Sequence, residues 1–298
     1  MTLLAGRYRL GARIARGGMA VVHHADDHVL RRPVALKLLD EHDARDQMRR
    51  TAVRREALSA ARLAHPNIVR LLDYSDAEPF LVMELVTGGT LNTRLKDHGA
   101  LPWPAAARLC ADIAAALASA HDHGLVHHDV KPGNVMLSPT GAKLTDFGMA
   151  RAPGETTEDS DGYVWGTPAY LAPEQLRGQP TGHACDVYAL GLVFRACLTG
   201  GPPWPGTTVE QVLTARACTP VPELPGPGGL PPPLVELYRA CTAREPYDRP
   251  SAHHAAALFA AVAAGAPGYG ASTGRIAGRA ARNRASSTAG SRSSRTGR

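Results

Sequence analysis

The chain lacks the marks of a membrane, secreted or metal-clasping protein. No run of about 18 consecutive apolar residues occurs, too little for a helical bilayer span. The opening Met1-Thr2-Leu3-Leu4-Ala5-Gly6-Arg7 turns polar too soon for a secretory h-region. Cysteine is sparse: Cys110, Cys185, Cys197, Cys218 and Cys241 are odd in number, widely spaced and never in a C-x-x-C arrangement. That excludes a thiolate clasp or redox pair, and the five read as buried small apolar residues of a reducing compartment. Thirteen histidines include the pairs His23-His24, His127-His128 and His253-His254, yet adjacent positions do not set two imidazoles on one helical face as i, i+4 spacing would. Acid is absent after Asp248, where Arg275, Arg279, Arg282, Arg284, Arg292, Arg295 and Arg298 accumulate. Without those seven the chain carries 26 basic against 27 acidic residues, so the formal charge of +6 belongs to the tail and the body is near neutral. The expectation is a soluble, cytoplasmic chain.

What is present is enough apolar material, 44% of 298 residues, for one large or two smaller packed cores. From Tyr8 to Leu39 the pattern predicts short strands, at Arg9 to Ile14, Val21 to Ala25 and Val34 to Leu39. Helical spacing without proline follows from Asp43 to Leu63, then two more strands at Val69 to Asp73 and Phe80 to Leu85. Beyond Pro104 the chain reads as helical, at Ala105 to His123, Asp186 to Leu198, Val209 to Ala217, Pro233 to Cys241 and Ala252 to Ala264. A strand-rich first third and a helical remainder imply two lobes meeting near Thr87-Gly88-Gly89. From about Gly265 onward Ala, Gly, Ser, Thr and Arg leave almost nothing to bury, and disorder is expected.

The chemistry concentrates between Val126 and Gly148. His127-His128-Asp129-Val130-Lys131-Pro132-Gly133-Asn134 is followed, twelve residues after the asparagine, by Asp146-Phe147-Gly148. Moving a γ-phosphoryl group needs a carboxylate to orient the attacking hydroxyl, oxygen ligands for Mg²⁺ and a positive group on the phosphates. Asp129, Asn134, Asp146 and Lys131 are residues of those types in one short stretch.

Together these residues resemble the protein kinase family, and within it the bacterial eukaryotic-like (Hanks-type) serine/threonine kinases. The resemblance runs from about Tyr8 to Ala264. It implies an α+β, two-lobed kinase-like fold: an extension at 1–7, a β-rich N-lobe at 8–86 with one main helix, a mostly helical C-lobe at 87–264, and a basic tail at 265–298. Ile14-Ala15-Arg16-Gly17-Gly18-Met19-Ala20 stands where the family has its phosphate-covering glycine loop, although only Gly17 keeps a family glycine, with Ala15 and Ala20 in place of the outer two. Lys37 resembles the strand lysine that grips the α- and β-phosphates, and Glu56 its helix partner. Backbone groups of Glu84 and Val86 would meet the adenine edge, with Met83 behind the pocket and Val22, Ala35 and Met136 around the ring.

By the same resemblance Asp129 orients the substrate hydroxyl, Lys131 stabilises the transferred charge, and Asn134 and Asp146 hold Mg²⁺ or Mn²⁺. Lys131-Pro132 is the serine/threonine pattern. Gly166 to Glu174 resembles the substrate-docking loop, Glu174 is expected to pair with Arg249, and Asp186 to fix the catalytic-loop backbone. ATP and proteins bearing Ser or Thr are the implied partners, with autophosphorylation. No sequence-specific nucleic acid is implied, and the tail offers at most a weak, salt-sensitive contact with anionic surfaces. The competing class is a pseudokinase scaffold or nucleotide-binding module, suggested by the altered glycine loop and His128.

His128 departs from the arginine most relatives have. Arginine is permanently charged and reads a phosphate bidentately, whereas an unperturbed histidine is roughly a quarter charged at pH 7. Thr156, Thr157, Ser160 and Thr167 are candidate phosphorylation sites, but Glu155, Glu158, Asp159 and Asp161 already charge that loop. One hypothesis is that these acids partly replace phosphate, one charge against about −1.5 to −2; the alternative is a merely soluble acidic segment. A large loss of activity on phosphatase treatment would dismiss the first. Some of the tail's Ser272, Thr273, Ser286, Ser287, Thr288, Ser291, Ser293, Ser294 and Thr296 are expected to be autophosphorylated, which an unmodified tail in mass spectrometry after incubation with ATP would rule out.

Overall fold

The computed structural model describes residues 3–16, 20–39, 47–147, 168–225 and 229–265. Gly17, Gly18, Met19, Gly148, the acidic loop through Thr167 and the Arg-rich tail lie outside them.

Five strands, β1 (Tyr8–Arg16), β2 (Ala20–Asp27), β3 (Arg32–Leu39), β4 (Leu71–Ser75) and β5 (Phe80–Glu84), form an antiparallel sheet in the order β1-β2-β3-β5-β4, and helix α1 (Gln47–Ala61) lies between β3 and β4 in sequence. The two-residue period of a strand sorts side chains between its faces. Val34 and Leu36 of β3 join Tyr8, Ala25, Phe80 and Val82 in one buried cluster. On the other face Leu39 packs with Leu81 and with Val53 and Ala57 of α1. Lys37 shares the parity of Leu39, so the alternation delivers its side chain to the α1 side.

The edge strands β1 and β4 are clipped together by side chains. The Tyr8 hydroxyl donates to Asp73 Oδ2 at 2.5 Å, and Arg7 NH1 donates to the same oxygen at 3.0 Å. Arg7 also forks onto buried Asp27 through Nε (2.9 Å) and NH2 (2.7 Å). That fork, with N–H groups of Leu30 and Val29, holds the Asp27 carboxyl well below the usual range despite its burial.

β4 begins two residues later than the apolar pattern predicts, because residues 68–69 are taken by a competing partner. Ile68 bridges Leu144 in parallel, and the Val69 N–H donates to the Leu144 carbonyl at 2.9 Å. This stitch ties the sheet to the helical part.

That part comprises α2 (Leu91–His98), α3 (Trp103–Asp122), the hairpin β6 (Val135–Ser138) and β7 (Gly141–Leu144), α4 (Pro173–Leu176), α5 (Ala184–Thr199), α6 (Val209–Cys218), α7 (Pro232–Cys241) and α8 (Ala252–Ala264). α2 and the β6–β7 hairpin add to the elements that periodicity suggests. Thr90 caps α2, its hydroxyl accepting from the Thr93 N–H at 3.1 Å. The alanines of α3 let other helices approach closely, and α5, apolar on nearly all sides, is buried through its middle. Phe194 of α5 and Phe259 of α8 pack with ring centres 5.1 Å apart.

At the boundary between lobes a Cβ on Gly88 would collide with the Leu137 carbonyl, so this crossing needs glycine. Four cysteines are buried and free, as expected of small apolar residues, but Cys218 is exposed because α6 buries none of its residues fully. Among the described residues no helix is long and apolar enough to cross a membrane.

Candidate active site

The segment 126–130 is moored by its apolar residues and by one acid. Val126 and Val130 are fully buried on either side of the polar triplet. Asp186, in the first turn of α5, accepts the backbone N–H of His127 at 2.8 Å and of His128 at 2.9 Å, and meets His121 Nε2 at 2.9 Å. Burial by itself would raise this carboxyl, but the His121 bond and the neighbouring histidines outweigh it and bring it down to about 2. It remains a carboxylate at neutral pH. His128 has φ +66°, a left-handed conformation uncommon for a residue with a side chain, and the Asp186 bonds hold it there. Gln175 Nε2 donates to its carbonyl at 3.1 Å. Its ring is buried, with Nδ1 3.4 Å from Thr181 Oγ1.

His127 is oriented by two bonds. The Asp129 N–H donates to its Nδ1 at 3.2 Å, which assigns the proton to Nε2, and Nε2–H then donates to the Thr145 carbonyl at 3.0 Å. The ring leans on Phe147 at 4.7 Å.

Asp129 is thereby presented to a small polar cluster. Lys131 Nζ lies 2.6 Å from Asp129 Oδ2. Asn134 Nδ2 donates both to the Asp129 carbonyl at 2.9 Å and to Oδ2 at 3.0 Å. The Thr145 N–H donates to the Asn134 carbonyl at 3.0 Å, so the chain returns past the asparagine just before Asp146. Asp146, itself at φ +63°, accepts from Lys37 Nζ at 2.7 Å, and the same nitrogen meets Glu56 Oε1 and Oε2 at 2.8 and 2.9 Å. Glu56, Lys37 and Asp146 thus form one set of contacts and Asn134, Asp129 and Lys131 another, and the Thr145–Asn134 backbone bond brings the two sets together across the lobes. Burial works against the Lys37 charge, but the Asp146 and Glu56 carboxylates overcome it and raise its pKa. Lys37 in turn lowers Asp146, while Glu56 is raised by burial that Lys37 only partly offsets.

Sheet register fixes the remaining candidates. Directly opposed residues share a face: Ala15 pairs with Val22, Val22 with Lys37, Ala20 with Leu39, and Ala35 with Met83. These residues therefore lie on the Lys37 face. Arg16 pairs with Val21, and Ile14 falls at the register shift between Arg13 and Ala15 and is exposed. Glu84 ends β5; its N–H donates to the Arg70 carbonyl at 3.0 Å, and its carboxylate receives Lys143 Nζ at 2.8 Å and the Arg70 N–H at 2.9 Å. Val86 is half-buried, and Met136 bridges Thr90.

Below the cluster Arg249 forks onto Glu174 at 2.6 and 2.8 Å, with side-chain exposures of 0% and 5%. Three further bonds from Arg249 to the carbonyls of Ala184, Ala243 and Arg244 satisfy its remaining donors. Residues that motif reading did not single out also support the site. His121 of α3 stacks on His183, the residue before α5, with ring centres 4.2 Å apart and planes 11° apart, and no local pattern signals a contact between residues this distant in sequence.

Residues 8–258 match the protein kinase domain family. The chain is 40% identical over 251 residues to serine/threonine-protein kinase PknL of Mycobacterium tuberculosis (strain ATCC 25618 / H37Rv), covering 83% of this chain and 63% of that protein. It is 40% identical over 251 residues to serine/threonine-protein kinase PknA of M. tuberculosis (strain ATCC 25177 / H37Ra), covering 82% and 58%. With serine/threonine-protein kinase PknD of the H37Rv strain the identity is 36% over 249 residues, covering 82% and 38%. The chain thus spans less than two thirds of the length of each of these relatives.

Proposed function

The chain belongs to the protein kinase family, on the side of its bacterial serine/threonine members, and from that premise we propose that it transfers the γ-phosphoryl group of ATP to serine and threonine hydroxyls of proteins, itself included. The observation that carries this reading is Lys37 Nζ within 2.7 to 2.9 Å of both Glu56 and Asp146. Kinase chemistry requires the strand lysine, its helix glutamate and the acid before Phe-Gly to be in place together. A scaffold that never handled phosphates would have no need of three charged groups at these distances.

In this reading Lys37 holds the α- and β-phosphates, and Glu56 keeps its ammonium from swinging away. Asp129 accepts a hydrogen bond from the substrate hydroxyl and aligns it for attack. Lys131, already against Asp129, sets a positive charge beside the phosphoryl group in transit. Asn134 has spent its amide nitrogen on Asp129, which leaves its oxygen to offer, and with the Asp146 carboxylate it makes an all-oxygen pair suited to a hard divalent cation. Mg²⁺, or Mn²⁺ in its place, would there neutralise charge on the phosphate oxygens.

Val22, Ala35 and Met136 enclose the adenine, Met83 closes the back, and Ile14 to Ala20 roof the phosphates. The Glu84 N–H is bonded to Arg70, so the adenine edge takes the Glu84 carbonyl and the Val86 N–H. Dependence on ATP places the activity on the cytoplasmic side of the cell. The test is radiolabel transfer from ATP to a generic basic protein, comparing wild type with Asp129→Ala and Lys37→Met. The expected outcome is incorporation by wild type that falls at least about a hundredfold in each variant, and equal incorporation by all three would refute the proposal.

A further inference from the structure

The segment 168–174 is braced from two directions. At its far end Glu174 is locked by Arg249, as described above. At its near end Arg216, in the last turn of α6, donates through NH1 to the Pro168 carbonyl and through NH2 to the Leu171 carbonyl at 2.7 Å. A planar guanidinium is suited to this task because its donors diverge in a fixed fork and can reach two carbonyls of one turn at once.

The fork is held from behind. Its carbon lies 4.4 Å from the centre of the Trp204 ring, and Trp204 is 2% exposed. Tyr188 of α5 stands beside Arg216 and also carries Arg249 over its ring at 4.9 Å, so one aromatic side chain links the two braces. α6 has no fully buried residue, and only its Val212 and Ala215 join the main core as half-buried apolar contacts. Arg216 is the polar tie between this surface helix and the segment it faces.

We propose that Arg216 is a positioning residue for the protein substrate: by fixing the Pro168 and Leu171 carbonyls it shapes the stretch on which the residues around the phosphorylated hydroxyl lie. The proposal rests on the kinase reading, in which 166–174 is the docking loop. Arg216 touches neither nucleotide nor the reacting atoms, so its loss acts on peptide affinity and leaves the ATP site alone.

The experiment takes the full chain and measures KM for a Ser/Thr peptide and for ATP separately, for wild type, Arg216→Ala, Arg216→Lys and Trp204→Leu, with hydrogen exchange of residues 169–172 and melting temperature alongside. Losing two charge-assisted bonds is expected to raise the peptide KM of Arg216→Ala about tenfold or more, with ATP KM within about twofold. Exchange at 169–172 should quicken while the melting temperature holds. Arg216→Lys keeps the charge without the fork and should recover only part of the peptide KM, and Trp204→Leu should shift it the same way by less. Should Arg216→Ala fail to fold, Arg216→Lys carries the same comparison. An unchanged peptide KM and unchanged exchange, or ATP and peptide KM rising together, would overturn the inference while leaving the kinase reading intact. A wild-type chain that transfers no phosphate would remove that reading and this inference with it.

Discussion

The two halves of the candidate site are held by supports of different strength. Asp129 and Asn134 hang from Asp186, a fully buried acid with two backbone N–H donors and a histidine, set in the single large cluster of α3, α5, α7 and α8. Lys37 and Glu56 depend on α1, which among the described side chains meets the sheet through the small cluster of Leu39, Val53, Ala57 and Leu81 with Leu71 and Tyr74 packed against it, while Leu58 on the same helix is 62% exposed. The helical half is built as a fixed floor. The Lys37–Glu56 contact needs α1 seated on the sheet, so displacing that helix is expected to open it while the bonds that hold Asp129 stay in place.

The largest effect should come from attacking the floor. Asp186→Ala leaves two buried N–H groups and His121 without their acceptor, and a loss of about 3–5 kcal/mol is expected. Calorimetry should show the melting temperature lowered by about 10 °C, with phosphoryl transfer abolished. Glu56→Gln should cost about a hundredfold in transfer rate, because Lys37 is misplaced, yet lower the melting temperature by only about 1–2 °C. If the two variants melt alike, the contrast between floor and helix is wrong.

Acid should sharpen the contrast with a smaller effect. Burial, with His121 beside it, lowers His183 below its ordinary 6.5. The unfolded chain therefore takes the proton first, so stability is complete above about 6.5 and declines as pH falls, until the folded form is protonated too. The depressed Asp186 contributes stability that is complete above the ordinary 3.8 and lost as pH falls towards about 2. Melting curves between pH 7 and pH 5 should drop for wild type and less for His183→Phe, which keeps the stack without the charge. An identical drop in both would mean that His183 does not titrate in this range.

Much of this was readable before any coordinates. Lys37 sits on a strand whose alternation already places it with Ala35 and Leu39, and Asp186 opens a helix without other acids in its first turn. α8 runs from Ala252 to Ala264, where the alanine-rich pattern puts it. The β4 boundary was less legible, because Val69 has two competing partners and only the folded chain chooses Leu144. The β6–β7 hairpin is hidden by strands of four residues each, too short for period two to register. Arg216 looks in sequence like an ordinary cation at a helix C-terminus. Its two carbonyl partners lie 45 and 48 residues earlier, and no local pattern reveals them.

The clip between the sheet's edges bears on how this protein can be trimmed. Arg7 stands one position ahead of the span matching the kinase domain, which begins at residue 8, so an excised fragment starting there sheds the guanidinium that neutralises Asp27 and steadies Asp73. An acid sealed under the sheet would then have lost its main counter-charge, and two strand borders would be freer to part and recruit foreign chains. Beginning the fragment at Leu3 or earlier keeps that fastening in place.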